Sequence, residues 1–244
     1  VSEARQELVT ACVFGASGGI GRALVDALAA RDDIALVHAG ARGAVEAQGK
    51  VRAFRFDMTD EALIAAAAQG MADTPPDLVI VATGALAFAD GEGPEKSLRG
   101  IDAARMAELF AINTIGPALI AKHMLPMLPR GRRSVFAALS ARVGSISDNR
   151  LGGWHSYRAS KAALNMLVRN FAIEMRRTHP QAIVADVHPG TVDTPLSRAF
   201  QRNLAEGQLT SGAQAAAHLL AVLDGLTPAD SGGFFAWDGR PIAF

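Results

Sequence analysis

The chain has 244 residues, with 24 Lys and Arg offset by 24 Asp and Glu. That length can bury a substantial core in one large domain, and the zero net charge argues against nucleic acid as a partner, because phosphate binding needs a basic excess. A lone cysteine, Cys12, excludes an intramolecular disulfide and suits a reducing compartment. No apolar run approaches the roughly 20 residues of a membrane span. Val1 to Leu8 carries Glu3, Arg5 and Glu7 and lacks the apolar stretch of a signal peptide. A cytoplasmic protein is therefore expected, with neither membrane nor nucleic acid as partner.

Leu8 to Phe14 is a short, mostly apolar run ending at a glycine, the pattern of a buried parallel strand. Gly15-Ala16-Ser17-Gly18-Gly19-Ile20-Gly21 follows, then a helical stretch from Arg22 to Ala30. Strands are expected at 34–38 and 51–56, a helix from Thr59 to Met71, and a fourth strand over 77–81 after Pro75 and Pro76. Ala103 to Leu125 reads as one long helix closed by Pro126 and Pro129. A fifth strand at 134–139 precedes a helix from Ser156 to Arg177, and a sixth at 182–187 ends at His188-Pro189-Gly190. A helix over 211–223 and a last strand over 233–237 complete the chain. Strands alternating with helices predict a doubly wound α/β fold, with one parallel sheet and helices on both faces. No linker or repeat divides 1–244, so one domain is expected. Phe88 to Ile101 and Thr191 to Thr210 lack periodicity, as substrate loops or lids do. Within the second, Leu196, Phe200 and Leu204 keep helical spacing and would make an apolar lid.

The glycine turn lies between a strand and a helix, where tight turning and close backbone approach admit a pyrophosphate at a helix N-terminus. Ser17 would add a hydroxyl. The spacing from Gly15 is G-x-x-x-G-x-G, not the dinucleotide G-x-G-x-x-G, and no Lys-Ser/Thr ending marks a triphosphate loop. A turn without ligand is the plainer alternative. About 20 residues on, where NAD-binding folds present an acid to the ribose, this chain has His38-Ala39-Gly40-Ala41-Arg42. Arg42 is either an anchor for a 2′-phosphate or a solvated surface arginine. Asp57 is either a contact for an adenine amino group or a helix-capping residue.

Tyr157 is the chain's one tyrosine, and Lys161 lies four residues on, on the same helix face. An unperturbed phenol titrates near 10, and bringing it to roughly 7 takes about 4 kcal/mol. A nearby ammonium is expected to lower it. The six histidines show no metal-ligand spacing, so no metal is expected. His188 reads as structural or pocket-lining. Trp154 and His155 either face a substrate or pack under the preceding loop. Arg130, Arg132 and Arg133 read as a solvated loop face.

Phe14 to Gly21 and Tyr157-Arg158-Ala159-Ser160-Lys161 together resemble the short-chain dehydrogenase/reductases. Further matches follow in order: Asp57-Met58-Thr59-Asp60, Asn113 within Ile112 to Gly116, and Pro189-Gly190-Thr191-Val192-Asp193-Thr194. The ending, Leu226 to Phe234 and Trp237-Asp238-Gly239, resembles the C-factor-like branch.

The resemblance covers essentially the whole chain and implies a Rossmann-like sheet of about seven strands. It implies hydride exchange between NADP(H), favoured here over NAD(H), and a small-molecule carbonyl or alcohol, in a homodimer or homotetramer. Tyr157 would be the general acid or base, Lys161 would hold the nicotinamide ribose, and Asn113 would support a relay water. The cofactor would be bound by Gly15, Ser17, Gly19, Ile20, Gly21, Arg42, Asp57, Met58, Thr83, Gly84, Asn113, Tyr157, Lys161, Pro189, Gly190, Val192 and Thr194.

Two departures stand out. The family's Asn-Asn-Ala-Gly is here Val81-Ala82-Thr83-Gly84, and its Ser-Ser at the end of the fifth strand is Ser140-Ala141. The usual carbonyl-polarising serine is thus an alanine. Ser140 is expected to serve if the strand end is irregular; Tyr157 and Ser145 are alternative donors. A catalytically weak or non-catalytic nucleotide-binding protein on the same fold is the competing function.

Overall fold

A computed structural model describes residues 8–198, 201 and 207–244. Seven strands form one parallel sheet: β1 (Val9–Phe14), β2 (Ile34–Ala41), β3 (Val51–Arg55), β4 (Leu78–Val81), β5 (Ser134–Leu139), β6 (Ala182–His188) and β9 (Phe234–Ala236), in the order β3-β2-β1-β4-β5-β6-β9. A separate pair, β7 (Thr191–Val192) and β8 (Leu209–Thr210), ties the two ends of the segment after β6 together. Sequence pattern alone cannot show two-residue strands.

Period-two alternation sorts each central strand onto two cores. Val13, Val37, Ile80, Ala137, Ile183 and Val187 meet α1 (Gly19–Ala29) and α6 (Gly212–Gly225) through Leu24, Leu28, Leu219 and Leu223. Phe14, Val79, Val81, Phe136, Ala138 and Val184 face the other way. They meet α2 (Glu61–Gly70), α4 (Gly116–Met124) and α5 (His155–Met175) through residues such as Ile64, Ile120, Leu164 and Val168. Asp60 caps α2, accepting from Leu63 N at 3.1 Å.

The expected helix from Ala103 to Leu125 is interrupted. It comprises α3 (Ala103–Phe110), a π turn over Ala111–Ile115, and α4. A π turn inserts one residue without breaking the apolar face, so periodicity does not reveal it. The arginine cluster also differs from a solvated face. Arg132 pairs with buried Asp77 at 2.6 Å. Arg133 Nη2 donates to the Leu226 carbonyl at 3.1 Å, beyond the end of α6.

Candidate active site

The sheet order reverses between β1 and β4, and a cleft of about 620 Å3 opens across the C-terminal ends of the strands there. This is where doubly wound sheets bind ligands. In sheet order its lining runs from Asp57 and Met58 after β3, through Arg42 after β2, to Gly15, Ser17, Gly19 and Ile20 after β1. It continues with Thr83 and Gly84 after β4, Ser140 after β5 and Pro189 after β6, with Tyr157, Lys161 and Thr194 closing that side. Thirteen of the expected contacts named above therefore share one surface with Ser140.

Gly21, Asn113, Gly190 and Val192 stand behind that surface. A Cβ on Gly21 would collide with the Gly15 carbonyl, so this glycine lets α1 enter close to β1. Gly190 has φ +78 and lies against the Trp237 ring. Asn113, fully buried in the π turn, clasps the chain after β4. Its Oδ1 accepts from Ala85 N at 2.9 Å, and its Nδ2 donates to Ala85 O at 2.8 Å. Phe200 and Leu204 of the expected lid lie outside the described residues, whereas Leu196 lines the cleft.

Arg42 immediately follows β2, and its charge helps hold the Asp57 carboxyl below its ordinary range, after the larger effect of hydrogen bonds from Thr59. Asp57 Oδ1 accepts from Thr59 N at 2.9 Å and Thr59 Oγ1 at 2.7 Å, while Asp60 takes the true capping position. Trp154 packs with Leu86, Phe88 and Leu109 and meets Tyr157 edge-on at 6.3 Å between centroids, which is the packing alternative. Ser145 is buried and accepts from Asp148 N at 3.1 Å, turned to its own loop rather than the cleft.

The catalytic end is built on α5. Trp154, at the N-cap, has φ 52 and offers no side-chain cap. Glu95 supplies one from the aperiodic 88–101 segment: its buried carboxylate accepts from Ser156 N at 3.2 Å and from Ser156 Oγ. An acid suits that end of a helix. Tyr157, Lys161 and Asn165 then fall on one face at i, i+4, i+8. Lys161 Nζ donates to the Leu139 carbonyl at 2.8 Å. Ser140 Oγ donates to Asn165 Oδ1 at 2.6 Å, so its one proton is spent inside the protein. Asn165, absent from the sequence reading, was signalled by that spacing.

The expected lowering of the Tyr157 phenol is not present in the protein alone. Burial pushes it up to about 12. Lys161 is brought down to about 8, burial outweighing the opposing field of Asp186. His188 is lowered to about 4, chiefly by burial, and is a neutral imidazole at neutral pH.

The family profile described as short chain dehydrogenase matches residues 9–205. The chain belongs to the short chain dehydrogenase family. It is 36% identical over 147 residues to C-signal of Myxococcus xanthus, a match covering 60% of this chain and 82% of that one. It is 38% identical over 128 residues to 1-hydroxy-2-glutathionyl-2-methyl-3-butene dehydrogenase of Rhodococcus sp., covering 52% of this chain and 54%, about half, of that relative. NADPH-bound carbonyl reductase from chicken fatty liver superposes with a TM-score of 0.82 at 26% identity, covering 98% of this chain and 95% of that one. Carbonyl reductase Sniffer of D. melanogaster superposes equally well, TM-score 0.82, at 19% identity, over 97% of this chain and 100% of that one, a likeness of fold.

Membership makes this short chain dehydrogenase an oxidoreductase of CH–OH and C=O groups with a nicotinamide cofactor. The cleft fits that group. A Cβ on Gly15, φ +99, would sit 2.9 Å from Thr83 Cγ2, and one on Gly19 would sit 2.7 Å from Thr194 Cγ2. The backbone there is bare by necessity. The first N–H groups of α1 have no side-chain cap, as an anion site requires.

Proposed function

We propose that the protein is an NADPH-dependent carbonyl reductase. The observation that carries the reading is the placement of Tyr157 and Lys161 on one face of α5, at the opposite side of the same cleft from the glycine turn. When bound, the cofactor supplies the hydride. The chain supplies orientation and a proton.

Gly15, Ser17, Gly19 and Ile20 would receive the pyrophosphate at the start of α1. Arg42 meets the 2′-phosphate, since no carboxylate ends β2 to repel it. Asp57 and Met58 would flank the adenine, and Thr83, Gly84, Pro189 and Thr194 would flank the path to the nicotinamide. Asn113, through Ala85, fixes the wall after β4. Tyr157 donates its hydroxyl proton to the oxygen that develops negative charge as carbonyl becomes alcohol, and Lys161 holds the ribose beside it. A phenol that burial holds near 12 is fully protonated at neutral pH. That is the form able to give a proton to a carbonyl oxygen. The apolar faces left outside by Ile115, Met166 and Ile173 suit a homodimer or homotetramer.

The test is a fluorescence titration with NADPH and NADH, followed by turnover on a panel of aldehydes and ketones. NADPH should bind about ten- to a hundredfold more tightly, the value of one charge-assisted contact. Arg42→Ala should erase that preference. Equal affinities in the wild type would remove Arg42 from the site.

One observation favours the weaker-enzyme reading. Ala141 stands where the family has a serine, and Ser140 gives its proton to Asn165. Losing one oxyanion-type donor commonly costs on the order of a hundred- to a thousandfold. If Ala141→Ser raises turnover that much and Ser140→Ala changes nothing, the native site lacks this donor. If Ser140→Ala collapses turnover, Ser140 rotates from Asn165 to substrate.

A further inference from the structure

The family site leaves one buried acid unused. Asp186 lies within β6, opposite Ala138 of β5 and Phe234 of β9 in the parallel ladder. It is 0% exposed, and neither carboxylate oxygen has a hydrogen-bond partner. Strand alternation places it beside Val184, on the face that packs against α5, because Ala185 and Val187 belong to the opposite core.

The same alternation puts Ser140 on that face, and its bond to Asn165 confirms the direction. Lys161 Nζ is anchored to the carbonyl of Leu139, and Leu139 is paired with Val187, the residue after Asp186. The ammonium and the carboxylate are therefore drawn to adjacent rungs of one strand pair. A fully buried carboxylate with no partner is expensive, and such groups call for a specific cause.

We propose that Asp186 is the acid coupled to Lys161, a positioning residue whose charge favours the ammonium form beneath Tyr157 while the Leu139 carbonyl anchors it. The claim rests on the reductase reading for its purpose, but not for its physics. Burial outweighs the coupling on both sides: it holds the Asp186 carboxyl well above its ordinary range although Lys161 lowers it, and brings Lys161 down to about 8 although Asp186 raises it. Lys161 Nζ bonds the Leu139 carbonyl, and a Cβ on Gly84 would sit 3.5 Å from it and 3.3 Å from Asn113 Oδ1; Tyr157 lies one turn earlier on α5, Ser140 follows Leu139, and Asp186 stands one residue before Val187, the ladder partner of Leu139. His188, two residues beyond Asp186, is neutral and feels Arg142 rather than Lys161. Asp186 is thus the carboxylate acting on Lys161.

With only four lysines in the chain, the side-chain carbon signal of Lys161 can be followed by NMR in the cofactor-free protein and identified by its loss in Lys161→Met. In Asp186→Asn the Lys161 midpoint should fall below its native value by about one pH unit or more, as removal of an adjacent opposite charge implies. Asp186→Glu should restore most of it. Should Asp186→Asn not fold, Asp186→Ala and the carboxyl signal of Asp186 in the native protein serve instead. An acid that stays unionised throughout the titration of Lys161, or a folded variant with an unmoved Lys161 midpoint, overturns the proposal.

The functional arm is the pH profile of kcat with NADPH. Asp186→Asn should lose turnover at neutral pH with the carbonyl KM little changed. A moved Lys161 midpoint with native turnover overturns the positioning role. A wild type that turns over no carbonyl defeats the reductase reading, while the NMR result still decides whether Asp186 and Lys161 are coupled.

Discussion

The two faces of the sheet are built by the same rule and end differently. On the α1/α6 face every inward residue from Ala11 to Val187 is apolar, and the strands carry nothing but packing. On the α4/α5 face Phe136, Ala138 and Val184 pack the same way, with Ser134 at the start of β5 and His38 in β2 as buried polar exceptions, and polar residues gather at the C-terminal ends of β5 and β6. Ser140, Asp186 and His188 take the places of core residues, with Asn165 of α5 bonded to Ser140 and Lys161 bonded to the Leu139 carbonyl beside it. A structural explanation suffices for the first face. The second breaks the hydrophobic pattern where the cleft opens, and such departures mark functional sites.

Substitutions on the two faces should therefore fail in different ways. Lys161→Ala should produce the largest functional loss, a hundredfold or more in turnover together with weaker NADPH binding, because it removes the ribose contact and the charge beneath Tyr157. Turnover and titration on the same preparation check this. Leu24→Ala, on the apolar face, should cost about 2–5 kcal/mol of stability by chemical denaturation. The molecules that remain folded should keep native kcat and cofactor affinity. If Leu24→Ala altered kcat at unchanged folded fraction, the division between faces would be wrong.

The smallest effect concerns pH. The folded pKa of His188 is about 4 against 6.5 for an exposed imidazole, so between those values the unfolded chain binds more protons. Stability from this residue is then present above pH 6.5 and is lost as pH falls toward 4. His188→Gln should flatten the acid limb of a denaturation-against-pH curve by up to about 1.4 kcal/mol per pH unit. An unchanged slope would mean that the imidazole is not held neutral.

Much of this was readable from residue order. The alternation of apolar runs and helical stretches locates all seven strands of the sheet, and the ordered motifs locate most of the cleft. What escaped has physical reasons. The π turn that buries Asn113 preserves helical periodicity on both sides. Glu95 reaches the start of α5 from 61 residues away, in a segment with no periodic signal. Asp186 did leave a trace, an acid inside the otherwise apolar run Ala182 to Val187. A parallel strand buried on both faces rarely carries a charge without a partner. The raised pKa of Tyr157 could not be read at all, because it follows from how deeply Trp154 and the 84–101 segment cover the ring.

The central claim is that the polar end of the α4/α5 face performs proton transfer through Tyr157. Tyr157→Phe removes one oxygen and leaves the ring, Lys161 and the glycine turn in place. NADPH consumption with a carbonyl that the wild type reduces, measured beside the NADPH dissociation constant of both proteins, tests it most directly. The account predicts turnover lowered at least a hundredfold with cofactor affinity within about twofold of native. Retention of most turnover by Tyr157→Phe would contradict it.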